Sequence, residues 1–541
     1  MSTTPAPAAA TTAFEAANRN FNYADAGQCR ALLAGLPLTN VPKVRDMLTR
    51  LIFGMQRTPP PARDYLAILE AMRAPLAFIQ GELAKRYATR APLPRTPEDE
   101  VLRRAVATWL AMAKSYALVA QRAAEHLSDP EIRALIAQRC IHYCGRAIVE
   151  YLRARRELPK GLWLELNGYF ADAEELGLAN LAVSEPLGEA ITHQSPTQAL
   201  AAVMLMVLAN PYGRSVREFQ TLLFWIDRFA PYTEIMPVFE GTDARTFAID
   251  LDQDGGPQPL ARLTRSAQLR RLAANRLAAE IGQLVAQIKA GVPANELGLG
   301  QDTPASTAGP LLVKLYRPWC LAANPRRFIR RPGTGEIQIV RGLEGMHYAV
   351  SGSAFVQPAP ARKHTRYEFD KLVTFGESVG PQRVLHVRTA QLSYPTETWT
   401  VLDHSPGGFR LLAGSGTPPE FGELICLLPP DSDQALLAQV SWLMVQLSAK
   451  VQLGIGLLPG TPRAVAARPT GENMSPSDPY TRAFLLPAVA PLNEPASLVL
   501  PRTWFQPQRV LEVYSEEAAL VRLTRLLAHG PNFDRVAFEP V

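Results

Sequence analysis

The chain has 541 residues, of which 47% are hydrophobic and 20% charged, enough apolar material for several globular cores and too much for wholesale disorder. Its formal net charge of +6 is too mild for a protein that coats nucleic acid. The 47 prolines, well above the usual level of about 5%, predict many elements joined by stiff connections.

Residues 1–22 open the chain with an Ala/Pro/Thr-rich stretch that has neither a basic start nor an apolar core. They read as a disordered tail and not a signal peptide. Residues 23–290 read as a helical domain. Pro42–Gln56 places Val44, Met47, Leu48, Leu51 and Ile52 at helical spacing, and Ala62–Arg86 continues the pattern across Pro75. Thr96 and Pro97, followed by Glu98 and Asp99, supply an N-cap, a first-turn proline and two acids suited to the helix dipole. The helix they open extends to His126. Asp129, Pro130 and Glu131 repeat the device for a helix to Arg156. Further helices are expected over Gly161–Leu176, Ser195–Ala209, Ser215–Phe229 and Ala267–Ala290, with a small hairpin at Phe239–Leu251. Helices joined by short connections predict a bundle or an irregular solenoid. The most apolar run, Ala199–Ala209, is about half the ~20 residues of a spanning helix, so a cytoplasmic protein without membrane insertion is expected.

Residues 291–310 are rich in Gly, Pro, Ser, Thr and Ala and read as a linker. The texture then changes. Glu336–Val340, Thr398–Leu402, Gly422–Leu428, Val440–Leu443 and Val451–Leu458 are short β-rich runs between turn residues. A β-barrel is expected over 311–460, interrupted by an insertion at about 353–394. Residues 461–541 add further strands around Leu485, Leu498–Leu500 and Val510–Val513, with a short helix over Ser515–His529. The fold class is thus multidomain α + β: an all-α amino-terminal bundle or solenoid, then an antiparallel barrel and a β-rich segment.

The charge is local. Between Pro310 and Glu420 stand fourteen lysines and arginines against eight acids, an excess equal to that of the whole chain, which points to an anion site. Two motifs lie in this stretch. Arg326, Arg327, Arg330 and Arg331 form Arg-x-x-x-Arg twice. Asp403, Ser405 and Gly408 form an Asp-x-Ser-x-x-Gly turn after a tryptophan-bearing strand. With the strand-like runs Phe409–Leu412, Phe421–Leu424, Val440–Leu443 and Leu453–Leu458 following in order, residues 320–460 resemble the PilZ domain family. That resemblance implies a bacterial receptor for cyclic di-GMP. Its arginines would bind phosphate bidentately and pair with guanine edges. Asp403 would accept from a guanine N–H, Ser405 would add a short hydrogen bond, and Gly408 would let the backbone turn or approach closely. It implies a binding module, with no catalytic residue, metal or further cofactor, that relays the messenger to an unidentified protein partner through the helical domain. The alternative is an interaction scaffold with a degenerate barrel that binds no nucleotide.

The chain departs from the family pattern. Arg330 and Asp403 are 73 residues apart, where the family has about one strand and a turn. A third Arg-x-x-x-Arg, Arg362 and Arg366, lies nearer the aspartate; the first cluster is preferred because it precedes a strand. Ser441 stands before Trp442 where the family commonly has arginine.

Other patterns carry less. Gly376, Ser378 and Gly380 match a serine-hydrolase elbow, but Pro381 follows and no strand–helix alternation surrounds them. Cys140 and Cys144 lie one helical turn apart, yet a tetrahedral metal site needs two more ligands. Five cysteines, Cys29, Cys140, Cys144, Cys320 and Cys426, make no disulfide framework. Trp109, Trp163, Trp225, Trp399 and Trp442 sit on apolar faces and are expected in cores. DNA binding is not expected, because basic and aromatic residues are not interleaved.

Overall fold

A computed structural model describes residues 21–88, 96–122, 129–321, 329–358, 394–430, 432, 434–470 and 479–541. The chain divides into two compact units, Met1–Arg326 with Met444–Ala449, and Arg327–Leu443 with Lys450–Val541.

The first unit is built on helices α1 (Ala26–Ala34), α2 (Val41–Arg57), α3 (Ala62–Tyr87), α4 (Pro97–Arg122), α5 (Pro130–Arg153), α6 (Leu162–Glu175), α7 (Pro196–Leu208), α8 (Val216–Phe229), α9 (Asn275–Lys289) and α10 (Ala305–Cys320). The starts follow local chemistry. Asn40 accepts from the Lys43 amide and Asp129 from that of Glu131. Ser195 with Gln198, and Ser215 with Glu218, form reciprocal capping boxes. Helix α3 continues through Pro75 as one element of 26 residues. Tyr65, Tyr116, Phe170, Trp225 and Phe229 fill one continuous core. The short α1 escaped the sequence reading; Asp25 caps it through the Gly27 and Gln28 amides. Among the described residues no helix is long and apolar enough to cross a membrane.

A buried ion network ties this unit together. Strands β1 (Val183–Ser184) and β2 (His193–Gln194) form a small hairpin, with Glu185 in the loop between them. The Arg139 guanidinium, 1% exposed, holds Glu70 at 2.9 Å and Glu185 at 2.7 Å. Arg73 pairs with the other oxygen of Glu185 and donates to Tyr143 Oη at 2.9 Å. Gln138 donates to Gln194 at 2.6 Å, and Gln194 to Asp227 at 3.3 Å. Burial alone would raise the Glu70 carboxyl, but Arg139 and Arg73 outweigh it and hold it below the usual range.

Asp227 is the opposite case. Burial pushes its carboxyl up to about 6, against the counter-effects of Arg146 and Gln194. The folded chain therefore holds this proton more tightly than the unfolded chain. Its ionisation costs nothing below about pH 4 and progressively more as pH rises through 6. Asp227→Asn, which keeps an acceptor for Gln194, should stabilise the helical unit by about 2 kcal/mol at neutral pH. The gain should vanish near pH 4, as read by urea titration of the helical circular dichroism.

The first unit is not purely helical. Strands β3 (Glu234–Pro237), β4 (Phe247–Asp250), β5 (Gln258–Pro259) and β6 (Leu269–Ala273) form an antiparallel sheet in the order β3-β6-β4-β5. The predicted hairpin supplies β4, and the front of the predicted helix 267–290 is β6. The predicted linker also differs. Helix α10 begins at Ala305 inside it and runs on through the first residues assigned to the barrel. Ala308, Leu311, Leu312, Leu315 and Trp319 are all buried, and the Trp319 indole donates to the Leu205 carbonyl at 2.8 Å. Two internal prolines, Pro310 and Pro318, cost about 3 kcal/mol each in a free helix. Five buried apolar side chains, at about 1.5–3 kcal/mol for the large ones, outweigh that.

The second unit contains β7 (Arg331–Pro332), β8 (Glu336–Val340), α11 (Leu343–Ser351), β9 (Thr396–Ser405), β10 (Gly408–Leu412), β11 (Leu424–Leu428), β12 (Leu436–Val445) and β13 (Val451–Leu457). Strands β8, β9, β10, β13, β12 and β11 close into a ring, and β7 adds to the end of β9. Trp399, Ile339, Leu411, Leu427 and Leu453 fill its interior. A second closed barrel follows, made of β14 (Arg463–Pro469), β15 (Thr481–Leu486), β16 (Ser497–Pro501), β17 (Val510–Tyr514), β18 (Ala518–His529) and β19 (Phe533–Pro540), in the order β14-β15-β16-β19-β18-β17. A shared apolar cluster joins the two barrels, including Val340, Met346, Leu424, Phe484, Val499 and Phe533. Asn532 adds two hydrogen bonds to the Leu424 backbone.

The expected helix at Ser515–His529 is strand β18. Val521 and Leu523 point into the barrel, and both edges of the strand are paired. Two register shifts, at Leu523/Arg525 and Leu526/Ala528, break the alternation and leave a helix-like spacing of leucines. Barrel closure overrides helix propensity here.

Candidate functional site

The site is built on the hairpin β9–β10. Ser405 pairs with Gly408, leaving Pro406 and Gly407 as the loop. Proline suits the first loop position, where no ladder N–H is needed. Gly408 lies between β9 and β13 with φ +151°, and a Cβ there would fall 2.0 Å from the Ile455 carbonyl oxygen. No side chain fits. Ser405 Oγ is 3.4 Å from the Gly408 carbonyl.

Counting back along the hairpin, His404 faces Phe409 and Asp403 faces Arg410. The register then shifts, and Leu411 faces Val401. This bulge decides where Asp403 points. Leu411 and Phe409 pack on the barrel interior, so Arg410 lies on the outer face. Asp403 has the parity of Val401 and would turn inward in a regular ladder. The extra residue brings it beside Arg410 instead.

The arginine cluster reaches the same place. Strand β7 pairs Arg331 with His404 and Pro332 with Asp403. Arg330, just before it, forms an ion pair with Asp403 Oδ1, while Arg410 Nε stands 2.7 Å from Oδ2. Asp403 is buried, its side chain 12% exposed, against 24% for Arg330 and 43% for Arg410. One shielded carboxylate thus holds two guanidiniums, leaving one positive charge in excess, with Ser405 alongside and exposed Arg331 on the neighbouring strand. Such a cluster can take a phosphate through its guanidiniums and a purine N–H through its carboxylate. It offers no activated nucleophile.

Of the residues expected from the sequence, Arg330, Arg331, Asp403, Ser405 and Gly408 converge here. Arg326 and Arg327 lie outside the described residues, as do Arg362, Arg366, Ser378, His126 and nearly all of the expected insertion. Arg410 was missed. Its signal was available: a two-residue loop at Pro406–Gly407 places position 410 opposite 403 by counting alone.

The remaining patterns are structural. Burial pushes the thiols of Cys140 and Cys144 far up, and each turns to a backbone carbonyl, of Ala113 and Leu162 respectively. Among the described residues no group of three or more His, Cys, Asp or Glu could hold a metal ion. Trp109, Trp163, Trp225 and Trp399 are buried. Trp442 is half-buried and lies over Gly454, where a Cβ would meet its indole at 2.0 Å.

Comparison with known proteins bears on both ends of the chain. Residues 27–238 match the family model described as the cyclic-di-GMP receptor FimW, N-terminal domain, and residues 465–541 match the FimW C-terminal beta-barrel domain. Both ends of the chain are thus similar to domains of the FimW family. Along its whole length it is similar to the cyclic-di-GMP receptor FimW of Pseudomonas aeruginosa, 24% identical over 97% of this chain and 92% of that protein. The FimW carboxy-terminal model begins within β14 and so corresponds to the second barrel. The first barrel, which carries the Arg330–Asp403 cluster, lies between the two matched regions.

Proposed function

We infer that the chain is a bacterial cyclic di-GMP receptor and that its first barrel is the ligand-binding module, of PilZ type. The observation that carries this reading is the meeting of Arg330 with Asp403. Two motifs 73 residues apart in the chain, each weak alone, are joined at one hairpin beside Ser405 and Gly408. The whole-length similarity to a protein described as a cyclic-di-GMP receptor agrees with it. In this reading the ligand's phosphates take the guanidiniums of Arg330, Arg331 and the preceding Arg326 and Arg327. A guanine N–H takes Asp403. The chain acts by binding and not by catalysis, works in the cytoplasm, and passes the signal to a protein partner through its helical unit.

Calorimetric titration of the full chain with cyclic di-GMP tests this. Dissociation constants of about micromolar or tighter are expected, with cyclic di-AMP and GMP much weaker. No heat at ~100 µM cyclic di-GMP would favour the scaffold reading, in which the Arg330–Asp403 pair is only an internal tie.

A further inference from the structure

Asp403 has two guanidinium partners of different character. Arg410 lies within strand β10, paired on one side with β9 and on the other with β13. Arg330 lies outside any strand, just before the two-residue β7. The ligand needs the guanidinium of Arg330, which is already engaged by Asp403. To bind phosphate, Arg330 must leave a carboxylate that is shielded from water. A shielded carboxylate left alone is strongly disfavoured.

The geometry of Arg410 answers this. Its Nε is 2.7 Å from Asp403 Oδ2, yet among the described residues that buried N–H has no acceptor aligned for a hydrogen bond. The contact is a charge pair with an unused donor. Once Arg330 releases Oδ1, the carboxylate is free to turn and accept from Arg410 in an aligned bond. We propose that Arg410 is a positioning residue of the cyclic di-GMP site, holding Asp403 on the outer face of the barrel while Arg330 exchanges that carboxylate for a ligand phosphate. The proposal rests on the receptor reading above. It assigns Arg410 no contact with the ligand.

The test is a double-mutant cycle on the full chain, titrated with cyclic di-GMP in a calorimeter. The variants are Arg410→Met, Arg410→Lys, Asp403→Asn and Arg410→Met with Asp403→Asn. Arg410→Met should weaken binding about tenfold, and Arg410→Lys, which keeps the charge, should recover most of that loss. In the Asp403→Asn background, where Arg330 leaves no charge behind, Arg410→Met should change affinity by less than about twofold. Wild-type affinity in Arg410→Met overturns the proposal and leaves the receptor reading standing. An undiminished tenfold loss in the Asp403→Asn background also overturns it, because Arg410 then acts on the ligand without Asp403. Absence of binding in the unsubstituted chain overturns the receptor reading and this proposal with it. Thermal unfolding of each variant confirms that the barrel is intact; Arg410 is 43% exposed on an outer face, so its replacement should leave the fold in place.

Discussion

Asp403→Ala should abolish cyclic di-GMP binding, with an affinity loss of at least about a hundredfold by calorimetry. Two effects add. The substitution removes the acceptor for a guanine N–H, and it leaves Arg330 and Arg410 facing each other with no intervening carboxylate. The second effect acts on the free protein as well, so the thermal midpoint of the β unit should fall. Arg330→Ala separates the two. It should lose binding to a similar extent, because the phosphate loses its bidentate partner, while stability changes little: Asp403 keeps Arg410. If Arg330→Ala binds like the unsubstituted chain and Asp403→Ala does not, the phosphate partner is another arginine, and Arg362 with Arg366 becomes the cluster to change.

Glu185→Ala should be the most destabilising single change in the helical unit. Glu185 is buried and accepts from both Arg73 and Arg139, themselves 2% and 1% exposed. Its removal leaves two guanidiniums in the core with Glu70 as their shared remaining carboxylate. Breaking a buried pair in this way costs about 3–5 kcal/mol. It also frees the β1–β2 loop, which that carboxylate pins to α3 and α5. Urea titration of the helical circular dichroism should show a midpoint shift of that size. A shift below about 1 kcal/mol would mean that water replaces Glu185 and that the network is less closed than its geometry indicates. Cyclic di-GMP affinity should be unchanged if each unit holds its own fold, because the described residues of the proposed site, Arg330, Arg331, Asp403, Ser405 and Gly408, belong to the second unit.

The helical half was legible because its signals are local. The cap device at Asp129, Pro130 and Glu131, with apolar residues at 3.6-residue spacing such as Val44, Leu48, Leu51 and Ile52, acts within one or two turns. The strands of the first barrel were legible for a similar reason, as short β-branched runs between turns. Elements held by distant partners were misread. Helix α10 looked like the end of a linker because of its prolines, and only the pocket that receives Trp319 reveals why it forms. Strand β18 looked like a helix because two bulges erase its alternation, and only a barrel supplies neighbours on both of its edges. The buried Glu70–Arg73–Arg139–Glu185 network left no trace in any local pattern, since its members are drawn from three separate segments.

The chemistry of the ligand site divides along the same line. The residue types, the two motifs and their order stand in the amino-acid sequence, and through the PilZ resemblance they point to the ligand class proposed above. Which arginine meets Asp403, and in which direction Asp403 points, belong to the tertiary structure. The first depends on a strand pairing that bridges 73 residues, whose closure no neighbouring residue encodes. The second depends on one extra residue in the β9–β10 ladder, which turns a carboxylate from the barrel interior to its outer face and sets it against Arg410.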